Sequence, residues 1–212
     1  MKKKIRKMRA ILKRTGGYSF WKKLILNKEY KQWLSDGKPV PPPHRAKQLA
    51  VTEYANEYNL KILVETGTYL GDMINSVKNN FDEIYSIELD TELFHLANIR
   101  FSGISNINLF HGDAGTVLED VLKRINSPSL FWLDAHYSSG ATARSELDTP
   151  IEQELIQIFK HPLALSHVIL IDDARCFNGQ GDYPLIMSLQ KCAEQAGFSH
   201  FTVKDDIIRM FR

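Results

Sequence analysis

Ile62-Leu63-Val64-Glu65-Thr66-Gly67-Thr68-Tyr69-Leu70-Gly71-Asp72 joins an apolar run to an acid and then to two glycines. The apolar run reads as a buried strand, and Met73, Ile74 and Val77 recur beyond it at helical spacing. Gly67 and Gly71 fall where the backbone must turn sharply and come close to a ligand, which only a residue without Cβ does cheaply. The acid ending the strand favours a ligand that is cationic or rich in hydroxyls. A pyrophosphate is held instead by a bare helix N-terminus, and a dinucleotide turn wants Gly-x-Gly-x-x-Gly, for which Thr66 and Thr68 leave too few glycines.

Working outward, strand and helix signals alternate. Strands are expected at 61–65, 84–88, 107–110, 129–134 and 167–172, and helices at 44–58, 72–79, 91–99, 115–125 and 150–160. A helix over 184–196 then ends at Gly197. Phe198–Val203, a Lys204-Asp205-Asp206 turn and Ile207–Phe211 form an antiparallel hairpin at one sheet edge. The expected fold is α/β: a doubly wound, seven-stranded, mostly parallel sheet with a reversed last strand.

The 212 residues carry a net charge of +2, which hides an asymmetry. Residues 1–31 hold twelve Lys or Arg and one acid, Glu29, so they carry +11 and the rest −9. Met1, Ile5, Met8 and Ile11 recur at helical spacing among the lysines, and Phe20, Trp21, Leu24 and Trp33 follow. A basic amphipathic helix with aromatic residues suits peripheral contact of residues 1–35 with anionic membrane; a solvated basic helix packed on the body is the plainer alternative. Asp36-Gly37-Lys38-Pro39-Val40-Pro41-Pro42-Pro43 reads as a stiff linker. The expected division is a leader over 1–43 and a main domain over 44–212. No apolar run reaches the ~20 residues of a membrane span. Cys176 and Cys192 have neither metal-like nor disulfide-framework spacing and read as reduced thiols of a cytoplasmic protein. Nucleic acid is not an expected partner, because no recognition module accompanies the charge.

Ligands of open α/β sheets sit at the carboxyl ends of the strands. Here those ends read Glu65, Glu88, His111-Gly112-Asp113-Ala114, Asp134-Ala135-His136 and Asp172-Asp173, an acid at each of five tips. An ionised carboxylate accepts through two oxygens, so Glu88 can take both hydroxyls of a ribose and Asp113 an adenine amino group. This order over residues 45–212 resembles the class I S-adenosylmethionine-dependent methyltransferases. The resemblance implies that Glu65, Thr66, Gly67, Thr68, Tyr69, Gly71 and Asp72 line the cofactor. Glu88 then binds its ribose and Asp113 with Ala114 its adenine, and Asp134 closes the site.

Asp134 with Asp172 and Asp173 is similar to the metal triad of macrocin-type O-methyltransferases. That likeness implies Mg²⁺, a hard cation taking oxygen ligands, which would hold and polarise an acceptor hydroxyl. The chain departs from that subfamily at Ala135-His136. His136 is the candidate general base, its ordinary pKa of ~6.5 lying near working pH, and Asp134 is the second candidate catalytic residue. The polar Ser138–Thr149 loop, with Arg144 and Asp148, is long enough to cover a substrate. The expected activity is methyl transfer to a hydroxyl of a sugar, glycoconjugate or other small molecule. A non-catalytic cofactor-binding module and a metal-dependent hydrolase stay open as alternatives, as does a homodimer.

Overall fold

Alternate residues of each central strand enter opposite cores, as the two-residue period of a strand requires. Ile62, Val64, Phe131, Leu133, Ile169 and Ile171 lie in one buried cluster; Leu63, Leu130, Trp132, Val168 and Leu170 lie in the other. The computed structural model describes residues 16–134 and 149–212, with side chains from residue 24 onward. The helices are α1 Gly16–Ser35, α2 His44–Glu57, α3 Asp72–Val77, α4 Thr91–Phe101, α5 Ala114–Leu122, α6 Ile151–Lys160 and α7 Ile186–Gln195. The strands are β1 Ile62–Thr66, β2 Glu83–Glu88, β3 Ile107–His111, β4 Ser129–Leu133, β5 Val168–Ile171, β6 His200–Lys204 and β7 Ile207–Phe211. Two short 3₁₀ turns flank β5, at Ala164–Ser166 and Ala174–Cys176.

The apolar stripes of α5, α6 and α7 cover one face of the sheet, through residues such as Leu118, Ile158 and Leu189. Those of α2, α3 and α4 cover the other, through Val51, Ile74 and Phe101. Each fully buried aliphatic or aromatic side chain contributes roughly 1.5–3 kcal/mol relative to exposure. With both faces sealed, the inner strands read as continuous apolar runs.

The strand order is β3-β2-β1-β4-β5-β7-β6. The first five strands pair in parallel, and β7 runs antiparallel to both β5 and β6. The hairpin lies at the sheet edge as expected, with the reversed strand inserted beside β5 and β6 outermost. Burial explains this order: Ile207, Ile208 and Met210 are fully enclosed, whereas β6 is mostly exposed.

α1 meets α2, and Trp33 near its end is buried and donates from Nε1 to the Pro39 carbonyl at 2.7 Å. The proline-rich stretch is therefore tied to the preceding helix. Residues 1–15, and the side chains up to Lys23, lie outside the described residues, so most of the basic leader does too. Among the described residues no helix is long and apolar enough to cross a membrane.

Candidate functional site

Chain order reverses between β1 and β4, and this switch point is where such sheets bind ligands. Thr66 and Leu133 are register partners at the two tips, and the Asp134 N–H donates to the Thr66 carbonyl at 3.0 Å. On the β2 side, the N–H groups of Gly67 and Thr68 both donate to the Ile87 carbonyl, at 3.0 and 3.2 Å. This folds the glycine turn over the end of β2. Tyr69, itself at φ 49°, donates its N–H to Glu88 Oε2 at 2.6 Å.

Gly71 caps α3 in the left-handed region, at φ 69°. A Cβ there would stand 2.6 Å from the Phe101 ring, so both backbone and packing demand glycine. Arg100, buried on α4, clamps the same turn: it donates to the Leu70 carbonyl and to Asp72 Oδ1, the latter at 2.8 Å. Asp72 is thus a partner of Arg100 in the first turn of α3.

Glu65 is sealed beneath this turn. Ser86 donates to its Oε2 at 2.6 Å, and the Thr68 hydroxyl meets Ser86 at 2.6 Å. Thr68 therefore faces the interior. Burial pushes Glu65 up to about 8; Ser86 opposes this, while Asp134 and Glu88 add to it. At neutral pH Glu65 holds a proton.

Glu88 is also raised, first by burial, against the lowering pull of the Asp90 and Tyr69 N–H groups. Those two donors engage one carboxylate oxygen each, at 2.9 and 2.6 Å. Each oxygen keeps capacity for a second donor such as a ribose hydroxyl. The Gly112 N–H donates to the Glu88 carbonyl at 3.0 Å, drawing the β3 tip toward it. Asp113 follows and caps α5, accepting from the Gly115 N–H at 2.9 Å, with Ala114 buried behind it. Glu88 and Asp113, suited to a ribose diol and an adenine amino group, thus stand at neighbouring strand tips beside the glycine turn, whereas Glu65 is enclosed in the interior and protonated, and offers no charge to an ammonium. This pair of acceptors fits the adenosine part of S-adenosylmethionine.

At the β4 and β5 tips, Asp134, Asp172 and Asp173 bring carboxylate oxygens within 4.8 Å of one another. Asp173 stands at the N-terminus of the turn after β5 without capping it by its side chain, and Asp172 precedes it. They pair instead with Lys47 from α2, whose Nζ lies 2.5 Å from Asp172 Oδ2 and 3.0 Å from Asp173 Oδ1. Arg175 also donates to Asp173 Oδ1, at 2.8 Å, and to Asp206. Asp172 Oδ1 accepts from the Asp173 N–H at 2.8 Å.

Burial and the neighbouring Asp134 raise Asp172 well above the usual carboxylate range, against the pull of Lys47. Burial lowers Lys47, but the three carboxylates outweigh it and the net shift is upward. Neighbouring carboxylates push both groups the same way, adding to burial at Asp172 and overcoming it at Lys47. Three carboxylates suit a hard divalent cation chemically. With the Lys47 ammonium on two of them, however, an ion some 4 Å away would meet a repulsion of roughly 8 kcal/mol at an effective dielectric of ~20. A divalent ion among these carboxylates therefore competes with Lys47 for Asp172 and Asp173.

A narrow cleft next to these acids is lined by Leu133, Asp134, Glu154, Asp172, Phe177 and Tyr183. Glu154, on α6, is fully buried; burial pushes it up to about 8, with the Thr66 hydroxyl opposing and Asp113 and Asp134 adding. His136, Arg144 and Asp148 lie outside the described residues.

Lys47, Ser86, Arg100 and Glu154 are site residues that strand-tip reading passes over. Two had a signal. Lys47 stands one helical turn before the buried Val51, and Glu154 shares its stripe with Ile151, Leu155 and Ile158. A charge on an apolar stripe is rare unless it is paired or neutralised.

No family model and no curated protein sequence matches the chain. Solved structures do. A caffeoyl-CoA O-methyltransferase candidate from Staphylococcus aureus aligns at TM-score 0.59 and 14% identity, over 85% of this chain and 90% of that one. The O-methyltransferase TomG from Streptomyces achromogenes, in complex with S-adenosylmethionine, aligns at 0.55 and 15%, over 87% of each. An O-methyltransferase from Bacillus cereus with S-adenosylhomocysteine aligns at 0.54 and 13%, over 88% and 90%. At these identities the likeness establishes the fold, a Rossmann-like methyltransferase fold.

Proposed function

We propose that the protein is an S-adenosylmethionine-dependent O-methyltransferase acting on a hydroxyl of a sugar, glycoconjugate or other small molecule. The observation that carries this reading is the crevice at the switch point, where the glycine turn is hydrogen-bonded to Glu88 and Asp113 is drawn alongside. A hydrolase would leave Glu88 and Asp113 without a role.

Bound S-adenosylmethionine supplies an electrophilic methyl group on a positively charged sulfur. Glu88 and Asp113 would hold its ribose and adenine, and the Gly67–Gly71 turn would shape the wall around its amino-acid end. The acceptor enters on the Asp134–Asp172 side. The cofactor would supply its methyl carbon to the acceptor oxygen, with the electron pair of the broken carbon–sulfur bond left on sulfur. His136 takes the hydroxyl proton. In-line displacement is accelerated chiefly by alignment, which the rigid strand tips supply. A metal-assisted form of this chemistry would draw on Asp134, Asp172 and Asp173. Lys47 offers positive charge at the same place, and the reaction as written needs no further cation.

Calorimetry with S-adenosylmethionine tests the reading. Stoichiometric binding supports it, and no binding with or without Mg²⁺ ends it. An acceptor screen of glycans and small hydroxylated compounds then identifies the substrate. A lipid-linked acceptor would give the basic leader a role in docking on anionic membrane. Removing residues 1–15 deletes eight of its twelve basic residues while sparing Trp33. Unchanged partitioning onto anionic vesicles would refute the docking role.

A further inference from the structure

We propose that Lys47 is the resident cation of the Asp134–Asp172–Asp173 cluster, standing where a divalent metal would stand and presenting one N–H to the acceptor oxygen. This rests on the methyltransferase reading for its chemistry and on geometry for its placement.

An ammonium group has three N–H donors and no acceptor. Two are engaged, by Asp172 Oδ2 at 2.5 Å and by Asp173 Oδ1 at 3.0 Å. The third has no partner among the described residues. The Lys47 side chain is 15% exposed, and the two carboxylates it pairs with line the narrow cleft. Charge-assisted bonds of this length are the stronger class. Around Lys47, Gln48 donates to the Asp72 carbonyl at 3.4 Å, and Ala46, Ala50 and Val51 are buried. α2 is therefore packed firmly enough to aim the stem.

Asp173 is also held by Arg175, which joins it to Asp206 on the β6–β7 turn. That second cation leaves Asp173 committed to protein partners on one oxygen. A metal would have to displace Lys47 and compete with Arg175. The third N–H of Lys47 supplies the same service to the acceptor, a fixed positive charge beside an oxygen that gains negative character as its proton leaves.

The test is a Mn²⁺ titration of the full chain, followed by electron paramagnetic resonance, with wild type, Lys47→Ala, Lys47→Arg and Asp172→Asn. Wild type and Lys47→Arg are expected to bind no stoichiometric Mn²⁺ at about 100 μM. Lys47→Ala opens the carboxylates and is expected to gain one site, with affinity at least tenfold above wild type. Thermal melts confirm that each variant folds. One tight Mn²⁺ site in wild type, lost in Asp172→Asn, overturns the proposal without any variant at Lys47. A folded Lys47→Ala that gains no site overturns it as well. The titration uses neither methyl donor nor acceptor, so its failure is distinguishable from failure of the methyltransferase reading, which the calorimetry decides. In turnover, wild type is expected to keep its rate in excess EDTA. Lys47→Ala should lose at least tenfold and recover on adding Mn²⁺; a wild type silenced by EDTA overturns the proposal.

Discussion

Glu65 and Glu154 are sealed near the β1 tip, and replacing Glu154 by Gln removes one buried proton while keeping the side chain's shape. Burial raises Glu154 from 4.5 to about 8, and Glu65 likewise to about 8. Unfolded, each returns to about 4.5, so between those values the folded chain binds a proton that the unfolded chain has released. Stability is then full below about pH 4.5 and falls as pH rises toward 8, by up to ~1.4 kcal/mol per pH unit for each group. From about pH 5 to about pH 7.5 the loss integrates to roughly 3 kcal/mol per group. Wild type suffers it at both acids and Glu154→Gln at one. Urea unfolding followed by tryptophan fluorescence gives the free energies across that range. Other titrating groups contribute alike to both proteins and cancel in the difference. The stability of Glu154→Gln relative to wild type should therefore improve by roughly 3 kcal/mol from the low to the high end. Parallel pH profiles would refute the placement of a buried, protonated acid at this position.

Gly71→Ala forces a Cβ to within 2.6 Å of Phe101 at φ 69°. It should cost about 2 kcal/mol or more in unfolding free energy and weaken cofactor binding; an unchanged melting temperature would contradict the packing. Arg100→Met removes the clamp on Asp72 and the Leu70 carbonyl, with an expected loss of about 2–4 kcal/mol by urea titration and a cofactor turn that exchanges amide hydrogens faster. Glu88→Ala removes the proposed ribose acceptor and should weaken S-adenosylmethionine binding by about 10–100-fold in calorimetry; unchanged affinity would remove Glu88 from the site.

Much of the architecture is legible from local pattern. Ile62–Val64 and Leu130–Leu133 are apolar runs bounded by turns, and the helices between them keep their apolar stripes. Boundaries moved by up to three residues: the helix expected to reach 125 ends at Leu122, and β1 extends to Thr66, so Glu65 lies inside the strand and is buried. The position of β7 between β5 and β6 depends on competition for a buried slot, which chain order does not reveal. At the site, Gly67, Gly71, Glu88 and Asp113 could be named because each follows from a strand end. Ser86 and Arg100 could not, since their roles arise from neighbours across the sheet and from α4.

The sequence by itself determined the strand-turn-helix unit at Glu65–Asp72, the acids at five strand tips and the α/β class. These depend on backbone conformation and burial period, which act over a few residues. Only the tertiary structure decided the state of the acids. Lys47 and Asp172 are 125 residues apart in the chain and 2.5 Å apart in space. Coulomb energy and desolvation follow distance and burial, not chain order. For that reason the cluster, which reads from the strand tips as a set of open metal ligands, emerges in the fold with an ammonium group already among its carboxylates.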